Sequence, residues 1–446
     1  MKATRLKMTR LAVGLYAALI ASPSVWASSE NPLREKSDQY QIIHCGKLLD
    51  VEEKKTLVDQ HILVKNGVIT DMDSSVKAPE NAEKIDLADH VCMPGLMDMH
   101  VHLFTQSTKG TVDVLGTTQS SAFNALQGLR LSQKLLKMGF TTVRIPGDMD
   151  YQYANIEIRN AINRGEFVGP RMLVAPHYLS ALGGHADFNS FAPDGPKVQG
   201  PMIVDGVDEI RKAIRKEFKY GGDWIKVMAS GGVMSQHDDP EVAPYSDEEL
   251  RVMVEETHRH KKKITAHAHG DAGVYAAVKA GFDSIEHATM MSEKTAKLMA
   301  KKGTYYIPTF YVLDWILAMG ESAGITPDNL AKARLVESKH QQSALMAYKH
   351  GVKMALGSDC IFPVELAIKE FGAMNRRLND NWYVLRAGTI SSAEMLGLDD
   401  QIGSLKIGKQ ADIVATRHSP IEDMTNIEAV SFVMKDGMVV RAPKER

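Results

Sequence analysis

His100 and His102 stand two residues apart at the end of an apolar run that begins at Leu96. In an extended strand that spacing puts both imidazoles on one side, where two neutral rings chelate a divalent metal. His267 and His269 repeat the spacing in Thr265-Ala-His-Ala-His-Gly270, and His287 closes Ser284-Ile-Glu-His287. Lys226 lies inside the apolar segment Asp223-Trp-Ile-Lys-Val-Met228. An ammonium is costly there. Either an ion-pair partner such as Asp223 compensates it, or its pKa falls and the neutral amine is open to carbamylation by CO2, giving an anion whose two oxygens can bridge two metals. Asp359 follows Leu356-Gly-Ser; it is either the N-cap of the next turn or a ligand that also accepts a proton. His258 and His260 share the spacing but sit in the basic stretch 257–263, so they are expected to face solvent.

Two divalent cations would be balanced in part by a carbamate, one carboxylate and one hydroxide. The charge left over suits an oxyanion. Imidazole with oxygen ligands favours zinc, with manganese and cobalt as alternatives.

The elements that must carry these groups alternate short apolar strands with amphipathic helices. Strands are expected at 96–102, 141–145, 171–175, 224–228, 264–267, 284–286, 305–309 and 353–357. The chemistry-bearing residues fall at their C-terminal ends, which is where a (β/α)8 TIM-like barrel gathers its active site. Pro94-Gly-Leu96 opens the first strand with no glycine-rich phosphate turn after it, which argues against an open dinucleotide-binding sheet. Ser246-Asp-Glu-Glu249 and Ser391-Ser-Ala-Glu394 both read as capping boxes. Asn66-Gly67 and Asp436-Gly437 are hairpin turns. The α/β barrel, 94–402, is therefore expected beside a small β-sandwich domain built from both chain ends, 38–93 and 403–446.

The 446-residue chain is 44% hydrophobic and 24% charged with a net charge of -2. That balance fits a globular protein and gives no basic patch for nucleic acid. Lys2, Arg5, Lys7 and Arg10, the apolar run 11–20 and Val25-Trp-Ala27 read as a cleavable signal peptide over 1–27, implying a secreted or periplasmic protein with no membrane attachment once it is cleaved. Three widely spaced cysteines make no framework, so Cys45, Cys92 and Cys360 are expected as buried free thiols.

Taken together, Pro94-Gly-Leu-Met-Asp-Met-His-Val-His102, Lys226, Ala266-His-Ala-His269, Ile285-Glu-His287, Gly357-Ser-Asp359 and Ile402-Gly-Ser-Leu-Lys-Ile-Gly-Lys-Gln-Ala-Asp412 resemble the amidohydrolase superfamily. Gly183-Gly-His-Ala-Asp187 and Ser230-Gly-Gly-Val-Met-Ser235 narrow the resemblance to Xaa-Pro dipeptidases, metal-dependent carboxypeptidases and ochratoxinase-like amidases. It implies two divalent metals, His100, His102, carbamylated Lys226, His267, His287 and Asp359 as ligands, Asp359 as the catalytic acid-base, and His185 and His269 as substrate contacts. The implied reaction is attack of a metal-bridging hydroxide on the amide of a dipeptide or N-acyl amino acid. Alternatives on the same scaffold are a cyclic-amide hydrolase of the imidazolonepropionase kind and a lactone or phosphotriester hydrolase. A homo-oligomer is compatible with the resemblance. The chain departs from the branch in one place: the expected Arg-Asp followed by Gly is Arg144-Ile-Pro-Gly-Asp148.

Overall fold

The computed structural model describes residues 38–104, 119–187, 194, 202–236 and 238–443. The expected signal peptide lies outside them. The fold is mixed α/β. Its first strands are β1 (Tyr40–Asp50), β2 (Lys55–Lys65), β3 (Val68–Asp73) and β4 (Glu83–Pro94). Next come β5 (Leu96–Asp98), β6 (Phe140–Pro146), β7 (Arg171–Ala175), β8 (Tyr178–Ser180), β9 (Met202–Ile203), β10 (Trp224–Met228), β11 (Lys263–Gly270), β12 (Ser284–Met290) and β13 (Tyr305–Ile307). The last are β14 (Ile413–Thr416), β15 (Phe432–Lys435) and β16 (Met438–Arg441).

Both ends of the chain meet in one sheet, ordered β16-β15-β14-β4-β1-β2-β3. The hairpins at Asn66-Gly67 and Asp436-Gly437 are formed, joining β2 to β3 and β15 to β16. Both Asn66 and Asp436 adopt the positive φ that this kind of turn requires. Ile43, Leu48, Ile62, Val64, Leu87, Ile413 and Phe432 form its core. Cys45 and Cys92 are disulfide-bonded inside that core, which corrects the expectation of free thiols. Parallel pairing of β1 with β4 sets Cys92 opposite Leu48, and the register shift between Cys45 and Lys47 brings the two sulfurs together. Cys360 is a buried free thiol, as expected.

The middle strands pair in parallel, as β5-β6-β7 and β13-β12-β11-β10-β8-β9. Hydrogen bonds tie these two sheets on both sides. Asp223 N donates to Val174 O at 2.7 Å, Tyr306 N to Lys353 O at 2.9 Å, Met99 N to Leu356 O at 2.8 Å and Asp359 N to His100 O at 2.7 Å. The strand expectations are revised in several places. The first strand stops at Asp98, since the chain then bends toward Asp359. Segment 353–357 keeps a single bridge, Tyr306 to Met354. β8 and β9, too short for any periodicity, were not anticipated. Ser246 caps the helix Asp247–Arg259 with the reciprocal Glu249 bond, as the capping box predicts. Ser391 and Glu394 form no such box; they lie inside the helix Ile390–Leu396, whose N-cap is Thr389.

Candidate active site

The strands and the loops that follow them bring His100, His102, His185, Lys226, His267, His269, His287 and Asp359 to the wall of a single cavity. All the site residues expected from sequence therefore line one space. The backbone there is unusual. His287 has φ 69°, Ala288 39°, Thr309 52° and Asp359 50°, all in the left-handed region. Each such non-glycine conformation costs about 1–3 kcal/mol and is kept where neighbouring structure enforces it, as at active sites. His258 and His260, by contrast, are exposed on the outside, with His258 Nε2 3.0 Å from Asp283 Oδ2.

Each histidine has one ring nitrogen anchored. His100 Nδ1 is 2.8 Å from Glu286 Oε2, His102 Nδ1 is 2.9 Å from Gly147 O, and His267 Nε2 is 3.2 Å from Gly231 O. These partners accept only, so the anchored nitrogens carry the protons. In the neutral rings this leaves His100 Nε2, His102 Nε2 and His267 Nδ1 as lone pairs. His269 Nδ1 and His287 Nδ1 lie 3.0 Å and 2.7 Å from the hydroxyls of Thr289 and Thr309. An anchored far nitrogen is the usual support of a metal-ligating imidazole. Gly147 supplies its carbonyl at φ 85°, and a Cβ there would lie 2.4 Å from the Tyr178 ring, so only glycine fits.

The free edges converge. Two groups of donors form, His100 with His102 and Asp359, and His267 with His269 and His287, the donor atoms of each within 4.8 Å of one another. His100 Nε2 and His102 Nε2 are only 3.1 Å apart, and Asp359 Oδ1 is 3.5 Å and 3.2 Å from them. Two imidazole nitrogens and a carboxylate at that separation call for a positive charge between them, a bound cation or a proton on His102. Lys226 is buried, and its Nζ has no hydrogen-bond partner among the described residues. Asp223, its candidate partner, is instead engaged by Arg159 and Lys262. These donors could hold divalent cations.

Burial favours the neutral form of most of these imidazoles; His102 is the exception, where burial would lower the ring but the hydrogen bond and charge of Asp359 outweigh it and raise it. Burial, reinforced by Lys226, lowers His100 to about 4. Burial and His185 take His269 to about 3. His267 and His287 are driven well below the usual imidazole range by burial and the neighbouring histidines. Burial also lowers Lys226 to about 8, with Arg144 adding to it against Glu286 and Asp359. Burial would raise Asp359, but His100, His102 and Lys226 outweigh it and hold the carboxyl at about 2.

Beneath the cavity lies a charged pair whose role the sequence did not suggest. Glu286 is fully buried, holds His100 and receives the Arg144 guanidinium and the Thr265 hydroxyl. Arg144 also donates to Met99 O at 2.7 Å and stacks 4.7 Å from the Trp224 ring. Glu286 was in view only as the neighbour of His287. Its importance depends on contact with a histidine 186 residues away. At the departure after Arg144, Asp148 accepts from Leu103 N at 2.6 Å and so pins the chain following His102.

An amidohydrolase family profile matches residues 91–440. Ochratoxinase of Aspergillus niger is 32% identical over 428 residues, spanning 90% of this chain and 87% of that protein. Its crystal structure matches with a TM-score of 0.81 at 30% identity, over 91% of this chain and 97% of that one. A Xaa-Pro dipeptidase solved with methionine bound in its active site gives a TM-score of 0.84 at 31% identity, covering 91% of this chain and 100% of that chain. A prolidase solved with N-methylphosphonate-L-proline gives 0.83 at 29% identity, covering 91% and 100%. With this site and these relatives, the chain belongs to the amidohydrolase family, among the ochratoxinase-like and Xaa-Pro dipeptidase-like hydrolases of amide bonds.

Proposed function

We propose that this chain cleaves the amide bond of a dipeptide or N-acyl amino acid at a binuclear divalent metal site in the mouth of a (β/α)8 barrel. The observation that carries the reading is the pair of donor groups meeting in one cavity, with the unpartnered Lys226 amine on the same wall. The proposed ligands are His100, His102, His267, His287, Asp359 and Lys226 as its carbamate, with zinc the favoured metal. His267 is preferred to His269 because a carbonyl anchor fixes its proton away from the cavity, whereas the Thr289 hydroxyl beside His269 can donate or accept. The barrel reading is supported by the hydrogen bonds that join the two parallel sheets at both sides. The reach of Arg144 from β6 to Glu286 on β12 supports it as well, because that side chain crosses the space between the strands. We place the barrel over 94–402 and the β-sandwich over 38–93 and 403–446, where the terminal strands pair. A disulfide in the terminal sheet suits an oxidising compartment, in keeping with the export expected from 1–27.

Bound cations would acidify a water and polarise the scissile carbonyl. The chain's own groups do the rest. Asp359, kept ionised, receives a proton and returns it to the leaving nitrogen. His185 and His269 reach the substrate from the rim. Met228, Val233, Leu313 and Ile316 supply an apolar wall that excludes water from the reacting bond. Methionine in the active site of one relative is the kind of free amino acid such a cleavage releases.

A panel of N-acyl amino acids and dipeptides with varied C-terminal residues, assayed with and without added zinc, tests the reading; cyclic amides, lactones and phosphotriesters serve as competitors. Turnover of acyclic amides that a chelator abolishes and zinc restores is expected, with Asp359→Asn losing roughly a hundredfold or more while still binding metal. Faster turnover of any competitor class, or a near-normal Asp359→Asn rate, refutes it.

A further inference from the structure

We infer that Ser235, Asp238 and Lys332 form a positioning chain that fixes the ring and the tautomer of His185 against the cavity. The inference rests on the reading that His185 touches substrate, and it assigns the device that holds it there. His185 stacks on His267 with ring centroids 4.2 Å apart and planes 18° from parallel. Stacking alone leaves a ring free to slide and flip. Here its Nδ1 lies 2.7 Å from Ser235 Oγ, and Ser235 Oγ lies 2.6 Å from Asp238 Oδ1.

A hydroxyl has one proton to give. The Gly232 carbonyl is 3.4 Å from Ser235 Oγ, far longer than the carboxylate contact, so the proton goes to Asp238. Ser235 must then accept from His185, which places a proton on Nδ1. The carboxylate is in turn fully engaged: Oδ2 accepts from Gly232 N at 2.7 Å, and Oδ1 also receives Lys332 Nζ at 2.7 Å. Burial would raise the Asp238 carboxyl, but His185, Lys332 and Ser235 keep it well below the usual range.

Lys332 comes from a distant element, the helix Pro327–Lys349, and spends its ammonium on this one loop. It donates to Gly232 O at 3.2 Å and Ser235 O at 3.1 Å as well as to Asp238. The loop is also shaped to the ring, since a Cβ on Gly232 would sit 2.1 Å from His185 Nδ1 and Cε1. Loop, carboxylate and imidazole therefore move as one unit. A shift of about 1 Å in a substrate-contacting group can cost up to a hundredfold in rate.

The test uses the metal-loaded enzyme and its best amide substrate. His185→Ala, Asp238→Asn, Lys332→Met and the milder Ser235→Ala are assayed for kcat and KM, alone and on the His185→Ala background, with melting temperature and zinc content as controls. Each chain variant alone should lower kcat/KM by roughly ten- to a hundredfold, Lys332→Arg should recover part of the loss, and crystal structures should find the His185 ring displaced from its stack. On the His185→Ala background the same substitutions should change kcat/KM by less than about twofold, because coupled residues are not additive. Losses that add to that of His185→Ala, or an unmoved ring in all chain variants, overturn the positioning role and leave the substrate-contact reading intact. A normal His185→Ala enzyme overturns both.

Discussion

At the scale of single residues, the proposed site depends on groups behind the ligands as much as on the ligands themselves. The ligand candidates were legible because an HxH on a strand has period two, and because a lysine within Trp-Ile-Lys-Val-Met is costly whatever surrounds it. What held them was not. Gly147 O, Gly231 O and Glu286 act through geometry, and nothing in local composition marks a carbonyl as an imidazole anchor. Glu286 allows a sharp prediction. It carries the only carboxylate bonded to Arg144 among the described residues, and neither side chain has any measurable exposure. Glu286→Gln strands a buried guanidinium, for which about 3–5 kcal/mol of stability is the expected loss. It also weakens the anchor of His100, which should reduce zinc affinity by roughly ten- to a hundredfold. Urea unfolding and competitive zinc titration measure the two effects. An unchanged zinc affinity in a destabilised protein would reduce Glu286 to a structural partner of Arg144.

At the scale of elements, the strands were read with most success where burial on both faces leaves long apolar runs, although β11 and β12 proved longer than expected. The segment 353–357 was misjudged because its apolar pattern is satisfied by packing and by hydrogen bonds to β13 and to Met99 just beyond β5, without a full ladder. The helix Phe310–Met319, which lines the cavity, shows how an element can be finished from outside. Its N-cap residue Thr309 makes no side-chain cap bond. Glu370, on the helix Lys369–Leu378, accepts instead from Phe310 N at 2.9 Å and Tyr311 N at 2.6 Å. Thr309 in turn holds His287, so this remote cap reaches the proposed site. Burial raises the Glu370 carboxyl to about 8, the backbone donors pulling the other way. A carboxyl whose pKa is higher in the folded chain stabilises it most below the unfolded value, near 4.5, and that contribution disappears as the pH climbs through 8. The stability of the native protein relative to Glu370→Gln should therefore decline by a few kcal/mol between about pH 5 and about pH 8. Urea midpoints of both proteins across that window decide it, and parallel pH profiles would rule the titration out.

At the scale of the whole molecule, the first and last strands share a sheet that abuts the parallel strands through specific ties. Gly95 N donates to Asp412 O at 2.8 Å, just upstream of β5 and its histidines. Arg171 joins β7 to Asp412 and Asp436. The sequence revealed this union of the two terminal segments through hairpin turns and strand patterns on both sides of the parallel-strand segment. The cross-link inside it stayed hidden, because Cys45 meets Cys92 only through the parallel register of β1 on β4 and its local shift. That bond closes a loop with a sequence separation of 47, for which chain-entropy arguments give about 4 kcal/mol. Its Cys92 lies on β4, which leads into β5 and on to His100 and His102 beyond that strand, yet no member of the proposed site touches either sulfur. Stability and activity should therefore separate. Cys45→Ala with Cys92→Ala should unfold at clearly lower urea than the native chain, and dithiothreitol present during unfolding should bring the native protein down to the same midpoint while leaving the variant unchanged. The variant assayed well below its own midpoint should retain turnover within about twofold. If reduction leaves the native midpoint where it was, the terminal sheet is held by its apolar core and strand ladders alone. If the folded variant loses turnover, the cross-link also sets the position of β5 and hence of the proposed metal-binding histidines.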